Sequence, residues 1–305
     1  MNGSWDSPIY RETALIVLLF LFISGILVYF LRKRNYYFIV AWASAKSWMI
    51  AAPFLFLVLG LPSPWPIIFV TLIALFGAKT FFQLMGMFHR SYFVFICYLG
   101  IIFLGYCAHE NREDLFNLAP MIVLGICCLV PLFRNNYKRM IQYISITNLA
   151  FVFLGWSFMH LAMILNFQKG IYQVMYLIIM TEFCDNTNIA IHRFIGKVKL
   201  FDKIDFKRTV ESTLVSIVLT ISVAYAMRHL LPDNAEIYWL TSGLVASLGG
   251  LIGDMIMTVI RRDAGVKSVS GFILGRGDFL HRMDRMIFVA PFYYYVTKII
   301  EIYSH

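Results

Sequence analysis

Residues Thr13–Leu31 read TALIVLLFLFISGILVYFL, nineteen positions without a charge. About 20 apolar residues suffice to cross a bilayer as a helix, and a helix is required because hydrocarbon offers backbone groups no outside partner. The run is too long for the hydrophobic region of a secretory signal and has no small-residue cleavage site, so it reads as a retained helix. The rest of the chain agrees. Of 305 residues, 60% are hydrophobic and 14% charged, with a mean hydropathy of +0.74; a soluble domain carries roughly 25% charged residues. The sequence therefore predicts an all-α polytopic membrane protein of about nine to ten spans, at 12–31, 38–60, 65–86, 91–108, 116–133, 140–166, 171–192, 209–230, 237–260 and 286–303. The second is the least regular, since NYYFIVAWASAKSW (Asn35–Trp48) also suits an interfacial helix leading into a shorter span.

The net charge is +9. Alternate connections hold Arg32, Lys33 and Arg34; Arg90; Arg134, Lys138 and Arg139; six cations in 193–208; and six in 261–285, making 19. The opposite connections hold only Arg11, Arg112, Lys169 and Arg228. This asymmetry predicts that the basic connections are cytosolic and both termini outside. The basic excess is thus a topology signal that also suits anionic lipid headgroups, and no nucleic-acid partner is expected. All five cysteines lie in or beside apolar runs without a CxxC pair, which makes them packing residues. We divide the chain into N-terminal transmembrane helices, 1–140, and a C-terminal transmembrane region, 141–305, that carries the informative polar residues.

Polar groups inside such spans need a reason. Lys46 and Lys79 can snorkel or serve function, and His160 reads as a buried, hydrogen-bonded histidine. Glu182 and Asp185 are three apart and share a helix face, with Thr181, Asn186 and Asn188 around them. They are either a helix end reaching water or two carboxylates facing a wet cavity. Gly249, Gly250 and Gly253 permit close approach of a helix or ligand; Asp254, Thr258 and Arg261 follow at intervals of about one turn. Beyond them, Gly265, Gly271, Gly275 and Gly277 can bring backbone amides near phosphates, amid Arg262, Lys267, Arg276 and Arg282 and the acids Asp263, Asp278 and Asp284. Oxygen ligands at this spacing suit Mg²⁺ or Mn²⁺. Cations and carboxylates at one membrane face fit phosphoryl chemistry, where the protein mainly positions groups and stabilises charge.

At these residues the chain resembles the phosphatidate cytidylyltransferases (CDP-diacylglycerol synthases), and most of all their divergent bacterial paralogues. GDMIMTVIRRDAGVKSVSGFILGRGDFLHRMD (Gly253–Asp284) runs in register with the family's C-terminal signature, from its G-D-x(3)-S-x(2)-K-R opening to its D-R-x-D end. TEFCDNTNIAIHRFIGKVKL resembles the Asp-containing helix and F-G-K segment, KIDFKRTVES the S-P-G-K-T-x-E-G loop, and RMIFVAPFYYYV the last span. ALFGAKTFFQL is weakly similar to an earlier A-L-K-E-Y segment. The resemblance covers roughly 181–297. It implies transfer of CMP from CTP to phosphatidic acid or another lipid phosphate, giving a CDP-lipid such as CDP-diacylglycerol and pyrophosphate, with Mg²⁺ or Mn²⁺. It also implies a multi-pass protein of the bacterial inner membrane with a cytosolic active face, surrounded by membrane lipids, and a possible homodimer. Asp185, Asp254 and Asp284 fall on the motif's acidic positions as metal or metal-water ligands. Lys267 and Arg282 join them as catalytic candidates. Arg208, Thr209, Thr258, Arg261, Arg262 and Arg276 fall around the phosphates.

The chain departs from the motif at Ser268, Leu274, Arg276, Asp278 and His281, which stand where the family has Asp, Pro, His, Gly and Asp. Asp205, Phe206 and Lys207 likewise replace the loop's Ser-Pro-Gly. Two readings follow. Either the site is rebuilt, with Asp278 and His281 sharing metal-ligand duty, or the chain has lost activity and serves as a lipid- or nucleotide-binding membrane partner.

Overall fold

Each apolar run of the sequence folds as a helix. The computed structural model describes residues 4–31, 36–232, 235–265 and 283–304. Among them are ten helices. These are α1 (Pro8–Leu31), α2 (Tyr36–Leu59), α3 (Trp65–Leu84), α4 (Ser91–His109), α5 (Glu113–Arg134), α6 (Met140–Ile164), α7 (Gly170–Ile195), α8 (Val210–Ala226), α9 (235–263) and α10 (Met286–Ser304). Two of them contain a wider π-helical stretch, Phe151–Ser157 in α6 and Val245–Gly249 in α9.

Six helices are long and apolar enough to cross a membrane: α1, α3, α4, α5, α6 and α9. The expected nine to ten spans also include the shorter apolar stretches Ala45–Leu59 and Val210–Ala226, together with α7 and α10, which carry the charges Glu182 and Asp185, and Lys298 and Glu301.

Residues 4–69 form one compact unit, and the described residues from 70 onward a second. In the first, the buried Tyr10 hydroxyl donates to the Phe56 carbonyl at 2.6 Å, and the Trp5 indole N–H donates to Leu57 at 3.1 Å. In the second, helices meet through small residues, as expected where lipid supplies no hydrophobic drive between them. Gly100 of α4 lies under Phe151 and Val123, and Gly105 under Thr71. The large side chains of α5 that face outward, such as Leu118, Met121 and Leu132, are exposed and suit lipid.

His160 of α6 is fully buried, with its Nδ1 2.8 Å from the Trp156 carbonyl. The rings of Phe116, Trp156, Tyr294 and Tyr295 surround it at centroid distances of 4.6–5.4 Å. It is the buried, hydrogen-bonded core histidine the sequence suggests. His160→Phe is expected to keep the packing and change stability by about 1 kcal/mol or less, measured as the unfolding midpoint in detergent.

Between α7 and α8 the sequence reads as a polar loop. The structure instead has an antiparallel hairpin, β1 (Lys199–Phe201) with β2 (Asp205–Thr209). Its strands are too short for a period-two pattern to stand out. The Glu211 carboxylate clamps the hairpin base by accepting the N–H of Lys197 at 3.2 Å and of Val198 at 3.1 Å. Thr209 caps α8 in a reciprocal capping box with Ser212. At the turn, Arg262 Nη1 donates to the Lys203 carbonyl at 2.9 Å, tying the end of α9 to the hairpin.

Candidate functional site

Four elements converge on one set of charges. On α7, Thr181, Asp185 and Asn188 recur at helical spacing and are all buried, so the helix turns a polar stripe inward. The end of β2 supplies Arg208. The second half of α9 supplies Asp254 and Arg261, seven residues apart on one face, and the residues leading into α10 supply Asp284 and Arg285. Glycine permits this approach: Gly249 lies against Val289, Gly250 against Thr181, and Gly253 against the backbone of Asp284 and Arg285. The close partner the glycines anticipated is thus the start of α10, together with α7.

The charges form a continuous network. Nη2 of Arg208 donates to Asp185 Oδ1 at 2.8 Å and to Asp254 Oδ2 at 2.5 Å. Arg285 reaches Glu182 Oε1 at 2.8 Å with one terminal nitrogen and Asp185 Oδ2 at 2.9 Å with the other. Asp185 therefore lies between two guanidiniums. Beside them Arg261 pairs with Asp284, whose side chain is fully buried. Burial alone would make the Arg208 and Arg285 guanidiniums easier to deprotonate. The neighbouring carboxylates outweigh it, Asp185 and Asp254 for Arg208 and Glu182 and Asp185 for Arg285, and hold both above the ordinary arginine value. Buried charges survive only when paired and hydrogen-bonded in this way.

The network borders a cleft of about 280 Å³ whose walls include the hydroxyls of Thr213, Ser216 and Ser247. The Asn188 amide donates to Thr213 at 3.1 Å and to Ser216 at 3.3 Å, and accepts from Ser212 at 3.2 Å. Of the two readings of this stretch, a helix end in water and carboxylates facing a polar cavity, the second describes it. The helix continues to Ile195, and Asp185 lines the cleft.

The sequence-selected residues divide accordingly. Asp185, Arg208 and Asp254 meet directly, and Arg261 and Asp284 stand beside them. Thr258 is half-buried one turn after Asp254. The Thr209 hydroxyl is engaged in the cap, and Arg262 is exposed and bound to the hairpin turn. Lys267, Arg276, Asp278, His281 and Arg282 lie outside the described residues. Arg285 was not selected, having counted only as part of a basic group. The signal for it was the carboxylate pair Glu182 and Asp185, which on one buried face requires a cation opposite.

Among the described residues no group of three His, Cys, Asp or Glu could hold a metal ion. Two carboxylate oxygens do converge on one point, which the Nη2 cation of Arg208 occupies. Such a donor set fits Mg²⁺, which is commonly held by one or two carboxylates with water and substrate phosphate oxygens completing its shell. Asp185 and Asp254 would hold it.

The profile of the cytidylyltransferase family matches residues 42–300. Among curated relatives, the phosphatidate cytidylyltransferase of Bacillus subtilis is 25% identical over 260 residues, covering 82% of this chain and 95% of that protein. The phosphatidate cytidylyltransferase of Staphylococcus aureus is 24% identical over 229 residues, 73% of this chain and 86% of the relative. The uncharacterized protein YnbB of Escherichia coli is 28% identical over 157 residues, 48% of this chain, and the chain spans only 53% of its length. The matched region includes every described helix that contributes to the charge network, and on that ground the chain belongs to the cytidylyltransferase family.

Proposed function

We propose that this chain transfers CMP from CTP to phosphatidic acid or a related lipid phosphate, yielding a CDP-lipid and pyrophosphate at the cytosolic face of a bacterial inner membrane. The observation that carries this reading is the buried Arg208–Asp185–Arg285 network with Asp254, set at the ends of membrane-type helices in a chain of this family. An oxygen of the lipid phosphate attacks the α-phosphorus of CTP. A new P–O bond forms, the α–β bridging bond breaks, and pyrophosphate carries away the displaced charge. Charge builds on phosphate oxygens throughout, and fixed guanidiniums such as Arg208, Arg261 and Arg285 are the groups that neutralise it without reorganising. The hydroxyl-lined cleft gives polar groups a place within the helices, while lipid tails remain in the bilayer. A bound Mg²⁺ or Mn²⁺ would supply further charge neutralisation at the phosphates.

The test uses purified protein, labelled CTP, Mg²⁺ or Mn²⁺, and phosphatidic acid or an isoprenoid phosphate as acceptor. A CDP-lipid should form with one equivalent of pyrophosphate, and Asp254→Asn should cut its rate by about 100-fold or more. Absence of product with every acceptor would sink the enzymatic reading and favour a non-catalytic lipid- or nucleotide-binding protein.

A further inference from the structure

The two oxygens that would hold a divalent ion are not waiting in water; they are already bridged by one cationic nitrogen. Asp185 Oδ1 and Asp254 Oδ2 lie 2.8 and 2.5 Å from the same Nη2 of Arg208, against the 2.0–2.6 Å typical of Mg²⁺ and Ca²⁺ oxygen ligands. The oxygens belong to different helices, α7 and α9, so what holds them together must be a positive charge. Two cations cannot share that point, because their repulsion in a site this buried exceeds what the same two carboxylates return.

We propose that Arg208 is a built-in place-holder for the metal: its guanidinium keeps Asp185 and Asp254 together when no ion is bound, and an arriving divalent cation displaces it. Resting on the functional reading above, this assigns Arg208 a second position in the loaded state, next to the nucleotide phosphates that accompany the ion. The placement of Arg208 suits such an exchange. It is the penultimate residue of β2, a short strand paired only with three-residue β1 in a two-stranded sheet, while the backbone after it is fixed by the Thr209 cap. Side-chain rotation therefore suffices, without movement of either helix. Arg285 is differently placed, its two terminal nitrogens divided between Glu182 and Asp185, and it keeps Asp185 charged while Arg208 is away.

The experiment reads metal binding in the absence of nucleotide. Mn²⁺ is titrated into detergent-solubilised protein and followed by electron paramagnetic resonance, for the wild type, Arg208→Gln and Arg208→Lys. Arg208→Gln removes the competing charge and should bind Mn²⁺ at least ten-fold more tightly than the wild type. Arg208→Lys keeps the charge and should remain within about three-fold of it. Equal or weaker binding by Arg208→Gln overturns the proposal, as does tighter binding by Arg208→Lys equal to that of Arg208→Gln. A second measurement needs only wild-type protein. Mn²⁺ should raise modification of Arg208 by phenylglyoxal at least five-fold, read by peptide mass spectrometry; protection unchanged up to millimolar Mn²⁺ also overturns it. Tighter Mn²⁺ binding by Arg208→Gln in a protein that makes no CDP-lipid would leave the place-holder standing and remove the enzymatic reading. CDP-lipid synthesis with Mn²⁺ affinity indifferent to residue 208 would do the reverse.

Discussion

Asp185→Asn is expected to destabilise the protein by about 3–5 kcal/mol and to abolish CDP-lipid synthesis. The substitution keeps the size of the side chain and removes one negative charge. That charge faces two buried guanidiniums, Arg208 at 2.8 Å and Arg285 at 2.9 Å. Removing one partner of a buried pair costs far more than the pair itself contributes, because the remaining charge stays out of water without compensation. Glu182→Gln provides the internal comparison. Glu182 meets Arg285 at 2.8 Å and is the more exposed partner, so its loss should cost about 1–2 kcal/mol, less than half as much. Unfolding midpoints in detergent measure both. An effect of Glu182→Gln equal to or larger than that of Asp185→Asn would show that Asp185 is not the centre of the network.

Gly253→Ala should be nearly as damaging, although it adds a single methyl group. A Cβ at 253 would run into the backbone carbonyl oxygen of Asp284 and lie 3.2 Å from the Cα of Arg285. Neither is a flexible side-chain end, so the start of α10 must move away from α9. Overpacking of this kind costs about 1–3 kcal/mol. The functional loss should be larger than the loss of stability, because the displaced residues are the ones that pair with Arg261, Glu182 and Asp185. We expect synthesis to fall by about 100-fold in protein that still folds. Gly125→Ala, where an added Cβ meets nothing within 4 Å, is the control: helix propensity alone should leave it unchanged or up to about 1 kcal/mol more stable. Full activity of Gly253→Ala would disprove the role given to this contact.

The helices were legible because a membrane imposes one rule, long uncharged runs between charged connections, and each of the ten predicted runs contains a helix. Asp185, Asp254 and Asp284 were legible for a related reason, since a carboxylate in an apolar run stands out and its motif spacing survives in the sequence. The partners of these acids were harder to see. Arg285 stands at the mouth of an apolar run, where a snorkelling cation would also stand, and only the fold shows it turned inward to α7. Glu182 was visible as a neighbour of Asp185 but not as the second arm of one arginine. The hairpin was hidden by its length, and with it the fact that Arg208 arrives on a strand immediately ahead of a helix cap. Thr209 was read as a phosphate contact because its hydroxyl matched the motif, whereas its local hydrogen bonds make it a cap.

The π-helical stretch Val245–Gly249 has a consequence for how this site can be altered. A π-turn holds one residue more than an ordinary helix allows. Each residue of an α-helix advances the chain by about 100°. Deleting one residue from 245–249 would therefore regularise the backbone of α9, yet rotate everything after it by that angle. Asp254 would leave Arg208 and face a different neighbour, and Arg261 would turn away from Asp284. The smoother helix would be the silent one, so a length change here is a single-step route from a working site to an inert membrane protein with the same topology.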